Sequence, residues 1–242
     1  MFHINKFVEI ITNSSSTDEF YQTTKTLLNQ YRNNRIDMPN FIRIVEKTSS
    51  RMFVDGEMDD PLLFLDFMIR RLTKTLVNYD NLNFDLLFFG KSENVKTCQC
   101  GFTQTTNNDF TSLTISVDSS ETIEEALKNY FQPDILLNYS CEHCLLQTSV
   151  RTIDMIARMP YFLVLRVRVG SGIPKIKPDN ILRWNLNKYH LFGILLYSNF
   201  HYKVILREKM WMEYNDSGIQ SIVNLQEYLK SEAIDALIYL LE

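Results

Sequence analysis

The chain carries four cysteines, Cys98, Cys100, Cys141 and Cys144, as two close pairs: Cys98-Gln99-Cys100 and Cys141-Glu142-His143-Cys144. Two such pairs folded together offer four thiolates to one tetrahedral zinc ion, which favours soft sulfur ligands. Two other uses stand beside that one: a pair of disulfides, as in a secreted domain, or four free thiols with no shared role. The start, Met1-Phe2-His3-Ile4-Asn5-Lys6, has neither the apolar run nor the small-residue cleavage site of a signal peptide. An intracellular setting, cytoplasm or nucleus, is therefore expected, where paired cysteines are more often metal ligands than disulfides. The one-residue gap of the first pair is tighter than zinc sites usually show, which makes Cys98 the weakest of the expected ligands.

A length of 242 residues suits one large domain or two small ones. Apolar residues make up 45%, with 16 Phe and 12 Tyr, enough for a substantial core. Lys and Arg number 25 against 29 Asp and Glu, a formal charge of −4. That balance argues against nucleic acid as the main partner, because phosphate contact needs a basic face. No apolar run nears the ~20 residues that cross a bilayer, so no membrane partner is expected either. With 7 Gly, 6 Pro and no internal repeat, there is little room for linkers.

The elements that must position the cysteines follow from periodicity. Phe20, Leu27, Leu28 and Tyr31 predict a helix from Asp18 to Tyr31, followed by a polar turn from Arg32 to Pro39. Asp59-Asp60-Pro61 reads as a helix start, with an acidic cap and proline in the first turn. The helix after it, from Leu62 to Leu76, is apolar over most of its surface, which predicts a central, buried element. Beyond residue 83 the pattern turns strand-like, at Phe84 to Phe89 and Phe110 to Val117. Thr122-Ile123-Glu124-Glu125 forms a capping box for a helix that Pro133 ends. Strands are predicted at Tyr161 to Val169, Tyr189 to Ser198, Phe200 to Arg207, Met210 to Tyr214 and Ala236 to Leu241, with a short helix from Asn224 to Lys230. Helices first and a mostly antiparallel sheet region after them make an α+β chain, with the cysteines at strand ends, as at the tip of a β-ribbon.

Several stretches fall in an order that resembles a known family. They are Thr97-Cys98-Gln99-Cys100-Gly101; Phe110-Thr111-Ser112-Leu113; Thr122 to Leu127; Tyr139-Ser140-Cys141-Glu142-His143-Cys144; Ile156 to Leu165; His201-Tyr202 with Trp211 to Ser217; and Ala236 to Leu241. The order resembles the ubiquitin-specific proteases, the cysteine-type deubiquitinases. The resemblance implies one domain of papain-type fold over residues 1–242. Residues 1–80 would be a helical thumb, 84–170 the zinc-tipped β fingers with part of the palm, and 171–242 the palm with the histidine box. It further implies zinc on the four cysteines, ubiquitin or a ubiquitin-like protein held by the fingers, and a tail running between thumb and palm to a cysteine nucleophile. There a histidine takes the thiol proton and an Asp or Asn orients the ring.

By that resemblance His201 is the base and Asn215, followed by Asp216, the orienting group. A histidine merely filling a strand, and an Asn215-Asp216-Ser217 turn, are the plainer readings of the same residues. Asp60 matches an acidic thumb residue that accepts backbone N–H groups of the ubiquitin tail, and a helix cap is its plainer reading. Where the family has Glu three residues later, this chain has Leu63. The cysteine box would precede the segment at Phe2 to Phe7, so the nucleophile is expected upstream of Met1, and Ser14 to Ser16 lie too far downstream to replace it. The family's Gly before the histidine is Phe200, whose ring would crowd the channel for the tail. Lys203 stands where a small residue usually follows His-Tyr, and Val169-Gly170 replaces an Arg-Phe pair. Three functions are therefore carried forward: a catalytically silent ubiquitin-binding or protein-interaction module; an active deubiquitinase whose cysteine lies outside this sequence; and a zinc-stabilised structural subunit of a larger complex.

Overall fold

The computed structural model describes residues 4–33, 38–57, 59–76, 79–117, 122–168 and 176–242. Contacts gather the chain into two units, Met1–Phe88 and Phe89–Glu242.

The first unit is helical: α1 Asn5–Asn13, α2 Glu19–Arg32, α3 Met38–Thr48, α4 Pro61–Thr73 and α5 Tyr79–Phe88. Asp18 starts α2 by accepting the N–H groups of Phe20 and Tyr21 at 2.9 and 3.1 Å, and it ties α2 to α4 by receiving Arg71 at 2.6 Å. Asp60 starts α4, accepting the N–H of Leu62 at 2.9 Å, with Pro61 in the first turn. The sequence expectation is corrected at three places. The segment Phe84 to Phe89 is not a strand: Phe84, Leu87 and Phe88 recur at helical spacing and bury one face of α5. Phe7 of α1 meets the rings of Phe84 and Phe88 at 6.1 and 5.9 Å. Helix α4 is buried on one face only, through Leu62, Met68, Ile69 and Leu72, while Leu63 is 46% exposed. Helix α3 begins at Met38, inside the expected polar turn, and buries Phe41, Ile44 and Val45.

The second unit holds β1 Gly90–Cys98, β2 Thr103–Phe110, β3 Leu113–Ser116, α6 Ile123–Tyr130, β4 Asp134–Ser140, β5 Gln147–Arg158, β6 Phe162–Arg168, β7 Ile181–Trp184, β8 Asn187–Ser198, β9 His201–Arg207, β10 Trp211–Asn215, β11 Gly218–Ile222, α7 Leu225–Tyr228 with a 3₁₀ turn after it, and β12 Ile234–Leu241. Four strands form an antiparallel sheet in the order β2-β1-β5-β4. Eight strands form a second sheet, β11-β10-β9-β8-β12-β6-β3, with β7 paired to β8. This sheet is antiparallel except at one edge, where β3 runs parallel to β6 with Leu113 opposite Leu165. Its core packs Leu165, Leu196 and Tyr239 against Ile123 and Leu127 of α6. The capping box is formed as expected: Glu125 N–H donates to Thr122 Oγ1, and Thr122 N–H to Glu125 Oε2. Among the described residues, no helix is long and apolar enough to cross a membrane. Met1 to His3, residues 34–37 of the expected turn, and the Val169-Gly170 pair lie outside the described residues.

Candidate functional site

The four cysteines meet at one end of the four-stranded sheet. Cys98 closes β1, and Cys100 follows in a turn where Gly101, at φ +88°, donates its N–H to the Cys98 carbonyl. That left-handed glycine is what lets a one-residue gap present both sulfurs. Cys141 follows β4 directly, and its carbonyl accepts the N–H of Leu145 (φ 59°). The four Sγ atoms lie within 4.8 Å of one another. Cys98 stands 4.0 Å from Cys144, and Cys100 stands 3.9 Å from Cys141. A tetrahedron with Zn–S near 2.3 Å has edges of about 3.8 Å, so the donor set fits zinc in element, number and spacing. All four cysteines are free thiols, so the disulfide reading does not hold here. Backbone N–H groups of Cys144 and His143, opposed by burial, bring the Cys141 thiol down to about 6. The sequence reading did not single out His143 as a neighbour of this centre. Its Nδ1 lies 3.9 Å from Cys100 Sγ, and its ring stacks on Phe102.

A second constellation sits on the eight-stranded sheet. Strands β8 and β9 form a hairpin in which Ser198 pairs with His201 across Asn199 and Phe200. Strands β10 and β11 form another, with Asn215 opposite Gly218. His201 opens β9 and Asn215 ends its neighbour β10, and His201 Nε2 lies 2.7 Å from Asn215 Oδ1. The plain turn reading of Asn215-Asp216-Ser217 is also realised, because those residues lead into the hairpin. Asp216 Oδ2 is 3.8 Å from His201 Nδ1 on a side chain that is 92% exposed. With the Asn215 oxygen as acceptor, the neutral ring carries its proton on Nε2 and keeps Nδ1 as the basic nitrogen.

Phe200 precedes this histidine at φ 59° and is 82% exposed. Lys203 follows the histidine two residues later on β9. Its Nζ donates to Tyr228 Oη at 3.2 Å and to Glu232 Oε1 at 3.1 Å. Sequence reasoning passed over Glu213, two residues before Asn215 on β10, and Tyr228, which donates to it and accepts from Lys203; a glutamate among Trp211, Met212 and Tyr214 was the available signal. Asp60, in the helical unit, is a helix cap as described above, and its Oδ1 also accepts from Leu63 at 3.4 Å.

No family model matches the chain. It is 25% identical over 236 residues to ubiquitin carboxyl-terminal hydrolase 25 of Arabidopsis thaliana, covering 81% of this chain and 36% of the relative. It is 22% identical over 209 residues to the probable ubiquitin carboxyl-terminal hydrolase 4 of Schizosaccharomyces pombe, covering 69% and 35%. The chain thus spans about a third of the length of these curated relatives. Among solved structures it matches a chain of the SAGA DUB module of Ubp8, Sgf11, Sus1 and Sgf73 bound to monoubiquitin, with TM-score 0.73 at 18% identity, over 98% of this chain and 63% of that one. The module bound to ubiquitin aldehyde gives TM-score 0.74 at 18% identity, over 100% and 65%. These structures share the fold, and the sequence relationship to the two hydrolases agrees with them: the chain is a homologue of the ubiquitin-specific proteases and carries a ubiquitin-specific-protease-like domain.

Proposed function

We propose that this chain is a ubiquitin-binding domain of the ubiquitin-specific-protease type whose 242 residues supply the base and its orienting partner but no nucleophile. One observation carries this. Every thiol of the sequence is gathered in the cysteine cluster of the four-stranded sheet, while the His201–Asn215 pair belongs to the eight-stranded sheet. Acyl transfer to sulfur needs a thiolate in reach of the imidazole, and none of these four is available for that.

In this reading zinc is bound by Cys98, Cys100, Cys141 and Cys144 and supplies a structural cross-link between the β1–β2 and β4–β5 turns. The β extension it stabilises contacts ubiquitin or a ubiquitin-like protein. Asp60 accepts N–H groups of the tail. Membership in a multiprotein assembly is supported by the solved structures of this fold, which include the SAGA DUB module, and the setting in this reading is the nucleus or cytoplasm.

A second reading is favoured by the intact pair itself. His201 keeps Nδ1 basic and Asn215 holds the ring, the arrangement a thiol from residues outside these 242 would need. The two readings separate experimentally. The 242-residue chain should shift its amide resonances on titration with ubiquitin and form no adduct with a ubiquitin-propargylamide probe. An adduct would overturn the silent reading. No shift at millimolar ubiquitin would remove ubiquitin recognition and leave a zinc-stabilised structural subunit.

A further inference from the structure

His143 lies between two of the clustered cysteines, in the turn Cys141-Glu142-His143-Cys144, and its ring has a defined place there. The imidazole is nearly parallel to the ring of Phe102, with 5.4 Å between centroids and 8° between planes. Phe102 is itself anchored. Its carbonyl accepts the Cys98 N–H at 2.9 Å, and its side chain packs against Cys98, Cys141 and Val150. With the ring held so, Nδ1 faces Cys100 Sγ at 3.9 Å, the same separation as between the sulfurs of Cys100 and Cys141. Cys98 and Cys141 are buried and Cys144 is half-buried, whereas Cys100 is exposed. The imidazole therefore stands beside the one cysteine of the cluster that the fold leaves open to water.

We propose that His143 is a positioning residue for the metal centre: its Nδ1–H donates to the Cys100 sulfur and holds that exposed ligand in the four-sulfur cluster. The inference deepens the function proposed above and rests on its reading of the cysteines as zinc ligands. Four thiolates carry more negative charge than one zinc ion neutralises, so hydrogen-bond donors around the sulfurs stabilise the loaded site. Packing covers Cys98 and Cys141. Cys100 lacks that cover, and water is free to compete for its place. His143 supplies the missing donor from the solvent side and stays outside the ligand set, which the four sulfurs complete by themselves. A thiolate only accepts, so the ring nitrogen facing it carries the hydrogen, and neutral His143 is the Nδ1–H tautomer. Phe102 keeps the ring from turning away, as outer-shell partners of metal ligands need.

The test uses the 242-residue chain loaded with zinc and, for spectroscopy, with cadmium. The wild-type ring should be Nδ1–H, read from long-range proton–nitrogen correlations; an Nε2–H ring overturns the inference without any variant. His143→Phe keeps a ring to stack on Phe102 but has no N–H. Its zinc affinity, measured by competition with a chelator, should fall by about tenfold, the low end of what an outer-shell partner is worth. Its cadmium resonance should move from the wild-type position while staying in the range of four sulfur ligands. A ring that serves only for packing would leave both readings unchanged, and that result overturns the inference. His143→Asn, whose amide nitrogen reaches the place of Nδ1 but stacks on nothing, should recover most of the lost affinity. A loss as large as that of His143→Phe would show that the donor is not what matters, which also overturns it. Metal uptake keeps the two claims apart. A wild-type chain that takes up no zinc sinks the zinc reading and this role with it, whereas a zinc-loaded chain indifferent to His143→Phe sinks the role of His143 alone.

Discussion

Cys98 Sγ stands 4.0 Å from Cys144 Sγ, forty-six residues along the chain. The sulfur whose tight spacing made it the least expected ligand is thus as well placed as its neighbours. Local geometry explains it: Cys98 ends a strand, and the left-handed Gly101 folds the next residues back.

The first prediction follows from that pair. One zinc per chain should be found on metal analysis, and Cys98→Ser should lose it as completely as Cys141→Ser or Cys144→Ser. Ligand binding and local folding are coupled at such sites. Chelation should therefore expose the amides at the ends of β1, β4 and β5 to hydrogen exchange while those of β8 and β12 stay protected. Zinc retained by Cys98→Ser would leave a three-sulfur site, with His143 next to it as the replacement ligand.

Phe200 supplies the second. It occupies the left-handed region in a two-residue hairpin turn, and being 82% exposed it gains little from burial. Phe200→Gly should stabilise the β8–β9 hairpin by about 1 kcal/mol, because glycine carries no Cβ penalty there. The opening free energy of hairpin amides in native-state hydrogen exchange measures this. Phe200→Ala keeps the penalty and removes the ring. If the ring crowds the path of a ubiquitin tail, both variants tighten ubiquitin binding, but only the glycine variant raises stability.

The third concerns acid. Burial raises the carboxyl of Asp18, but Arg71 and the N–H groups of Tyr21 and Phe20 outweigh it, so the group titrates below the ordinary Asp value. A depressed folded-state value stabilises the fold above the unfolded one, about 3.9, and that contribution fades as pH falls through the folded one. Asp18→Asn retains a cap but loses the Arg71 pair at 2.6 Å, whose side chains are about a quarter exposed. It should cost about 1 kcal/mol at pH 7 and less as the pH drops below 4. Urea unfolding of both proteins at pH 7 and 3.5 decides; an equal cost at both would rule out the ion pair as the source.

Elements with one buried face and a chemical start signal were legible in the sequence: α2 behind Asp18, α4 behind Asp60-Pro61, α6 behind its capping box, and the apolar strands β6, β8 and β12. Strands β1 and β2 were not, because their residues are mostly polar, half-buried through most of β1 and exposed through most of β2; Thr103 to Phe110 reads Thr-Gln-Thr-Thr-Asn-Asn-Asp-Phe. Their ladder pairing to one another and to β5 holds them, and periodicity carries no trace of that. The run from Phe84 to Phe89 looked like a strand because aromatic composition outweighed the spacing of Phe84, Leu87 and Phe88. At the site, the cysteines and the His201–Asn215 pair followed from motif order. Glu213 did not, since a single acid in a strand is meaningful only once Tyr228 and Gln220 are seen converging on it.

The last prediction concerns where the polar sheet is anchored. Gly90 opens β1 opposite Phe110 at the end of β2, and the Phe110 ring lies across it. A Cβ built on Gly90 would fall 2.0 Å from Cζ of that ring and 2.4 and 2.5 Å from its Cε atoms. Phe110 in turn packs on the core of the eight-stranded sheet, so the ring cannot leave freely. Gly90→Ala should therefore cost about 1–3 kcal/mol through displacement of the ring. Phe110→Ala should cost a similar amount through lost packing, and the double variant should cost less than the sum of the singles, because the clash needs both groups. Chemical denaturation of the four proteins closes the cycle. Strict additivity would mean that the ring does not rest on Gly90, and β1 would then owe its entry angle to Arg158, whose guanidinium donates to the Phe89 carbonyl at 3.0 Å.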